Sequence, residues 1–96
     1  MIKLDVGNVL LKPSHRKQLM GWLKRPLRMG DRLGDSVISI SMHRTGRSVE
    51  IKADVANRRG SAGFRSRKND WHYAARDVVQ MLAHYLHDLS LQPTIA

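Results

Sequence analysis

Cysteine is absent from the 96 residues, which excludes disulfide stapling, thiol nucleophiles and thiolate metal sites and fits a reducing compartment. Aromatic residues reach only 5%, so the core must be aliphatic, built from Leu, Val, Ile and Met. No stretch approaches the roughly 18 consecutive apolar residues of a membrane span. The start, Met1–Val6, lacks a basic-then-apolar leader pattern. A soluble, cytoplasmic chain is the expectation. Acid is scarce as well: eight Asp and Glu stand against seventeen Lys and Arg, a net charge of +9. Hydrophobic residues at 42% and charged residues at 26% are ordinary for a globular chain and argue against wholesale disorder. The length suits one small domain, expected over residues 1–90 with a short tail over 91–96, and is too short for a two-domain enzyme.

The basic residues fall in two blocks. Lys12, Arg16, Lys17, Lys24, Arg25, Arg28 and Arg32 face one acid, Asp31. Arg44, Arg47, Lys52, Arg58, Arg59, Arg65, Arg67 and Lys68 face two, Glu50 and Asp54. From Asn69 onward only Arg76 opposes Asp70, Asp77 and Asp88, so the excess belongs to the first two-thirds of the chain. Arg outnumbers Lys, and the guanidinium fork matches phosphate geometry. This distribution points to a polyanion, nucleic acid or ribosome, in preference to a merely solubilising surface.

Ile2, Leu4 and Val6 alternate with Lys3 and Asp5, a half-buried strand ended by Gly7-Asn8. Pro13 suits the first turn of a helix and Ser14 is placed to help cap it. Leu19, Trp22 and Leu23 form its apolar stripe. Gly21 weakens this helix and Pro26 should kink or end it, leaving Met29–Asp35 as a loop. Ser36–Arg44 and Val49–Val55 both alternate strictly and flank Thr45-Gly46-Arg47, which predicts an antiparallel hairpin. A turn at Asn57–Ser61 precedes a weaker strand near Ala62–Ser66. Asn69 or Asp70 caps a long helix whose Ala74, Val78, Met81, Leu82, Tyr85, Leu86 and Leu89 recur at three and four residues. Gln92-Pro93 ends the regular structure.

The order β-α-β-β-β-α predicts an α+β fold, one four-stranded sheet with both helices on its apolar face. The other face, carrying Ser39, Ser41, His43, Lys52, Arg65 and Arg67, is left to solvent.

No enzyme chemistry is legible. His84 and His87 lie three apart with His72 three turns earlier, but no carboxylate or further ligand complements them, so no metal is assigned. Ser14-His15 and His43 between serines are neighbours that do not face each other on a helix or strand. The carboxylates are scattered singly. Gly60-Ser61-Ala62-Gly63, beside Arg58 and Arg59, would let a phosphate backbone approach, yet it lacks the Gly-Lys-Ser/Thr ending of a phosphate loop, and a plain turn explains it. Trp22 is assigned to the core; Trp71 opens the last helix. The open sheet face lacks clustered aromatics, so binding should rest on phosphates and shape rather than base identity. No metal, nucleotide or other cofactor, no small-molecule substrate and no membrane is expected.

Three segments resemble the ribosome hibernation-promoting factors and ribosome-associated inhibitors, also called sigma-54 modulation proteins. "IKLDVGNVLLKPSHRKQL" is similar to that family's first strand, Gly-Asn and first helix, with Arg16 at a typically basic position. "SVISISMHRTGRSVEIKADV" resembles its central β pair. "NDWHYAARDVVQMLAHYL" resembles its Asp-x-Tyr-x-Ala-Ile-Asp opening and Leu-rich helix, with Asp70 and Ala74 in place. Tyr73 and Asp77 fall one position late, Arg76 stands where the family has an acid, and "SLQPTIA" replaces the family's basic tail. The resemblance spans roughly residues 2–89. It implies the β-α-β-β-β-α fold of a short form without a dimerisation domain, monomeric off the ribosome. It also implies a non-catalytic translation regulator that occupies the mRNA/tRNA channel of the small ribosomal subunit, and so inactivates idle ribosomes in stress or stationary phase.

The rivals are a generic RNA module, such as a double-stranded-RNA reader, which the extra first strand disfavours, and a basic domain that meets an acidic protein. The residues expected to meet RNA are Arg16, Lys17, Lys24 and Arg25 on the first helix, Lys52, Arg65 and Arg67 on the open sheet face, and Arg58, Arg59 and Lys68 beside them.

Overall fold

Alternating strands need one covered face, and the two apolar helix stripes supply the cover. In the computed structural model, which describes residues 1–91, the chain runs β1 (Ile2–Asp5), α1 (Pro13–Arg32), β2 (Val37–Thr45), β3 (Ser48–Asn57), β4 (Gly60–Lys68) and α2 (Trp71–Leu91). Leu91, expected in the tail, belongs to α2; residues 92–96, with Gln92-Pro93, lie outside the described residues. The sheet order is β1-β2-β3-β4, with β1 parallel to β2 and the other pairs antiparallel. Both helices cover one face, as the pattern predicts. Among the described residues no helix is long and apolar enough to cross a membrane.

Register places Ile2 beside Ile38, Leu4 beside Ile40, Ile40 beside Ala53 and Ala53 beside Phe64. Against this face lie Ala74, Val78, Leu82 and Leu86 of α2 and Leu19 and Leu23 of α1, all buried. α2 rests on β3 and β4. The β2–β3 turn is tighter than Thr45-Gly46-Arg47: Thr45 pairs with Ser48, and Gly46 alone takes a positive φ of +60°, the pattern of a two-residue hairpin with glycine first. β1 is held past its own end by Asn8. The Asn8 side-chain amide donates to the Arg44 carbonyl at 3.0 Å, and the Arg44 N–H donates to Asn8 Oδ1 at 2.7 Å.

Two expectations need correction. Pro26 does not end the first helix, and Met29–Arg32 is its last turn rather than a loop. Proline inside a helix costs about 3 kcal/mol through a lost hydrogen bond and a ring clash. Here Leu19, Leu23, Pro26 and Gly30 form one buried stripe, and burying it offsets that cost. Gly30 has a specific role: a Cβ there would lie 2.8 Å from Ser36 Cβ, so glycine lets the last turn press against the start of β2. At the other end Lys12 is the N-cap residue and no side chain, Ser14 included, makes a capping bond; Pro13 at the first position instead needs no donor partner.

The second correction concerns β4, which is nine residues long, Gly60–Lys68. The expected turn contracts to Arg58-Arg59, with Asn57 Oδ1 accepting the Arg59 N–H at 2.8 Å. Gly60–Gly63 is therefore strand, paired with Val55, Ala56, Asn57 and Asp54, and not a phosphate-approaching loop. Gly63 sits directly under the Asp54 carboxylate, where a Cβ would come within 2.8 Å of Oδ1.

Asp70 caps α2 by accepting the His72 N–H at 2.9 Å. That bond, followed by the contact with the His72 ring, holds the Asp70 carboxyl below its ordinary value of 3.8. Since the folded value lies lower than the unfolded one, the contribution is complete above about pH 4 and is lost as pH falls through the depressed value. Asp70→Ala is expected to lower Tm at neutral pH and to narrow its deficit below pH 3, read by thermal unfolding between pH 2 and 7. A deficit constant across that range would mean the carboxylate does not cap the helix.

Candidate nucleic-acid interface

The two helices run side by side in the same direction. His15 meets Trp71 and His72 with ring centroids 5.1 and 5.3 Å apart, Trp22 meets Trp71 at 6.1 Å, and further along Gly30 faces Leu86. The seam between them runs on the side away from the sheet. Its sequence periodicity assigns the walls. On α1, Trp22, Arg25, Met29 and Arg32 recur at three and four residues, as do Arg76, Val79, Ala83, His87 and Ser90 on α2.

Two hollows mark this seam. One of about 190 Å³ is lined by Trp22, Arg76, Val79 and Gln80. The other, about 420 Å³, is lined by Arg25, Arg28, Met29, Arg32, His87 and Ser90. No acidic side chain lines either. The acids of α2 point the other way: Asp77 accepts from Ser66 at 2.9 Å and faces Lys68 at 3.6 Å on β4, and Asp88 pairs with His84 at 3.3 Å. The exposed surface of α1 adds Lys17 and Lys24, with Asp31 as the one counter-charge on that helix. The helix layer thus presents a dense, nearly uncompensated cationic strip. Exposed arginine forks that have no carboxylate partner among the described residues are a receptor for phosphate oxygens.

The expected site residues do not share one face. Arg25 lies in the seam, Lys17 and Lys24 on the exposed ridge of α1, and Arg16 on its opposite flank with Leu11, Pro13, Lys17 and Met20. Lys52, Arg65 and Arg67 project from the open side of the sheet, on the far side of the domain. There Lys52 stands between Ser41 and Arg65, and Glu50 between His43 and Arg67. That sheet face mixes Lys3, Lys52, Arg65 and Arg67 with Asp5, Glu50 and Asp54, so its net charge is small. The hollow over its small residues, Ser61, Ala62 and Gly63, contains Asp54, which repels phosphate. Arg58 and Lys68 already face Asp35 and Asp77, in exposed pairs worth little in stability. Arg59 is half-buried at the β3–β4 turn.

Arg28 and Arg32, counted in the first basic block but not among the residues expected to meet RNA, line the seam with Arg76 and His87. Once α1 continues through Pro26, the spacing Arg25, Arg28, Arg32 places three guanidinium groups along one flank, and that periodicity was the available signal. Trp22, assigned to the core, packs against it but is only half-buried beside the seam, while Trp71, which opens α2, is buried at 8% exposure. His72, His84 and His87 do not converge; His72 contacts Asp70 at 3.2 Å, and among the described residues no three His, Asp or Glu side chains form a metal-holding group.

Solved structures provide the comparison. The N-terminal domain of Protein Y from Thermus thermophilus superposes with a TM-score of 0.77 at 18% identity, covering 91% of this chain and 94% of that one. The fold is the Protein Y fold. A ribosomal subunit interface protein from Coxiella burnetii matches with a TM-score of 0.76 at 17% identity, covering 95% and 98%. Both neighbours are of the hibernation-promoting factor family, so the fold implied by the sequence resemblance is the fold observed. No family model matches the sequence, and no curated protein matches it.

Proposed function

We propose that this chain is a non-catalytic ribosome-binding protein that lodges in the mRNA/tRNA channel of the small ribosomal subunit and silences idle ribosomes under stress or in stationary phase. The observation that carries the reading is the acid-free arginine groove between α1 and α2. A neighbour of the same fold is a ribosomal subunit interface protein, which supports a ribosomal partner over an unrelated polyanion.

The channel reading draws on a second feature. The domain measures 48 × 21 × 16 Å and carries basic side chains on both broad faces, the groove on one and Lys52, Arg65 and Arg67 on the other. A protein that lies on one flat RNA surface needs one cationic face. A body walled by RNA on two sides meets one wall with the groove and the other with Lys52, Arg65 and Arg67, whose charge Asp5, Glu50 and Asp54 largely offset.

The test is co-sedimentation of the purified chain with small subunits, with free duplex RNA and with an acidic protein. Binding to the small subunit is expected to withstand physiological salt and to be displaced by mRNA together with tRNA. Equal or tighter retention on free duplex would transfer the assignment to a general double-stranded-RNA reader. Retention only on the acidic protein would make it a protein-interaction domain.

A further inference from the structure

Phosphate recognition does not account for the upper end of the groove. The 190 Å³ hollow there combines the indole of Trp22, the guanidinium of Arg76, the amide of Gln80 and the side chain of Val79. Trp22 is supported from behind: its ring packs at 6.1 Å from Trp71 and edge-on at 6.1 Å from His72, so it is held in place while remaining half-exposed. Among the described residues, neither Arg76 nor Gln80 has a protein partner for its side chain. The hollow is smaller than the roughly 300–1,000 Å³ that encloses a drug-sized ligand. It admits one flat group at a time.

We infer that this hollow takes a single unpaired base of the RNA strand whose phosphates lie along Arg25, Arg28 and Arg32, with the base stacked on Trp22 and its polar edge toward Arg76 and Gln80. The inference rests on the groove being the RNA site and adds the ligand class at one end of it. A buttressed, half-exposed aromatic beside unpaired donors is what a base requires, because every base offers a π-face and a hydrogen-bonding edge. Trp22 and Arg28 are six residues apart on one helix, about 9 Å along its axis. One strand following the seam therefore reaches both. An acidic peptide would satisfy the arginines but has no flat ring for Trp22.

The experiment uses the full chain and two ten-nucleotide single strands of equal charge, oligoadenylate RNA and the same ribose-phosphate strand without bases, followed by anisotropy and by tryptophan fluorescence. Oligoadenylate is expected to bind about 5- to 100-fold tighter than the abasic strand and to quench the fluorescence. Trp22→Leu is expected to bring oligoadenylate down to the affinity of the abasic strand, leaving the latter unchanged. Trp22→Phe, which keeps a ring against Trp71, is expected to retain part of the preference. Both variants are compared by thermal unfolding, and the quenching in the unsubstituted chain provides a readout independent of either. Equal affinity of the two strands, or a base preference that survives Trp22→Leu, overturns the base site while leaving the phosphate groove standing. Failure of both strands to bind removes the groove reading and this inference with it. A polyglutamate peptide that binds with the same dependence on Trp22 would also overturn it.

Discussion

Replacing Leu82 with alanine is expected to remove roughly 2–5 kcal/mol of folding stability. Leu82 is fully buried, at 0% exposure, midway along α2 between Val78 and Leu86 on the inward stripe. Beneath it the sheet is built from strands fixed on both sides by backbone pairing, with Ile51, Ala53 and Val55 of β3 in the covered face. A sheet pinned in this way cannot rise to fill a void, so the alanine variant keeps most of the cavity and loses the contacts of three carbons. A small domain is stable by only about 5–15 kcal/mol, so the variant should unfold at a markedly lower urea concentration with an unchanged m-value. Leu91→Ala is the control, since Leu91 is 70% exposed at the end of the same helix and should move stability by less than about 0.5 kcal/mol. A loss below about 0.5 kcal/mol for Leu82 itself would mean that the inward face of α2 lies elsewhere.

That prediction stands on residues legible in the sequence alone. Helical spacing marked Val78, Leu82 and Leu86, and strict alternation marked Ile38, Ile40, Ile51 and Val55; local periodicity suffices where one face is wet and the other dry. It failed at Pro26 for the same reason it succeeded elsewhere, because it is local. The breaker signal of proline is a property of one residue, whereas the stripe Leu19, Leu23, Pro26, Gly30 is rewarded only once α2 and the start of β2 are in place. Ending the helix early broke the helical spacing that joins Arg25, Arg28 and Arg32, and placed Arg32 in an expected loop. The groove itself needs two helices separated by residues 33–70 of the chain to lie parallel, and nothing in either helix records that. Trp22 is less buried than its core assignment implies on the same account. Trp22 sits at the edge of the α1 stripe, where an indole can cover the seam or open to solvent, while Trp71 is buried by packing with His15 and Trp22 across from it.

The larger functional effect should come from the groove. Each lost arginine–phosphate contact is expected to weaken binding roughly tenfold at moderate salt, the scale of a charge-assisted hydrogen bond. It should also flatten the plot of log affinity against log salt by about 0.7–0.9. Arg25→Ala, Arg28→Ala and Arg32→Ala combined should therefore reduce the magnitude of the slope by about 2–3 without altering sequence preference, because phosphates carry none. All three side chains are exposed, so folding stability should be untouched. The matching set on the far face, Lys52→Ala, Arg65→Ala and Arg67→Ala, should flatten the slope less, since Asp5, Glu50 and Asp54 already offset much of that charge. Both sets are measured on small subunits across a salt series. If the sheet set carries the whole change, the groove is misassigned and the RNA lies against the strands. If Glu replacements of Arg65 and Arg67 leave affinity intact while the groove set abolishes it, contact is one-sided and a channel with RNA on both walls is the wrong picture. If neither set moves the slope, neither face meets phosphate, and the reading of the helix seam as an RNA groove fails.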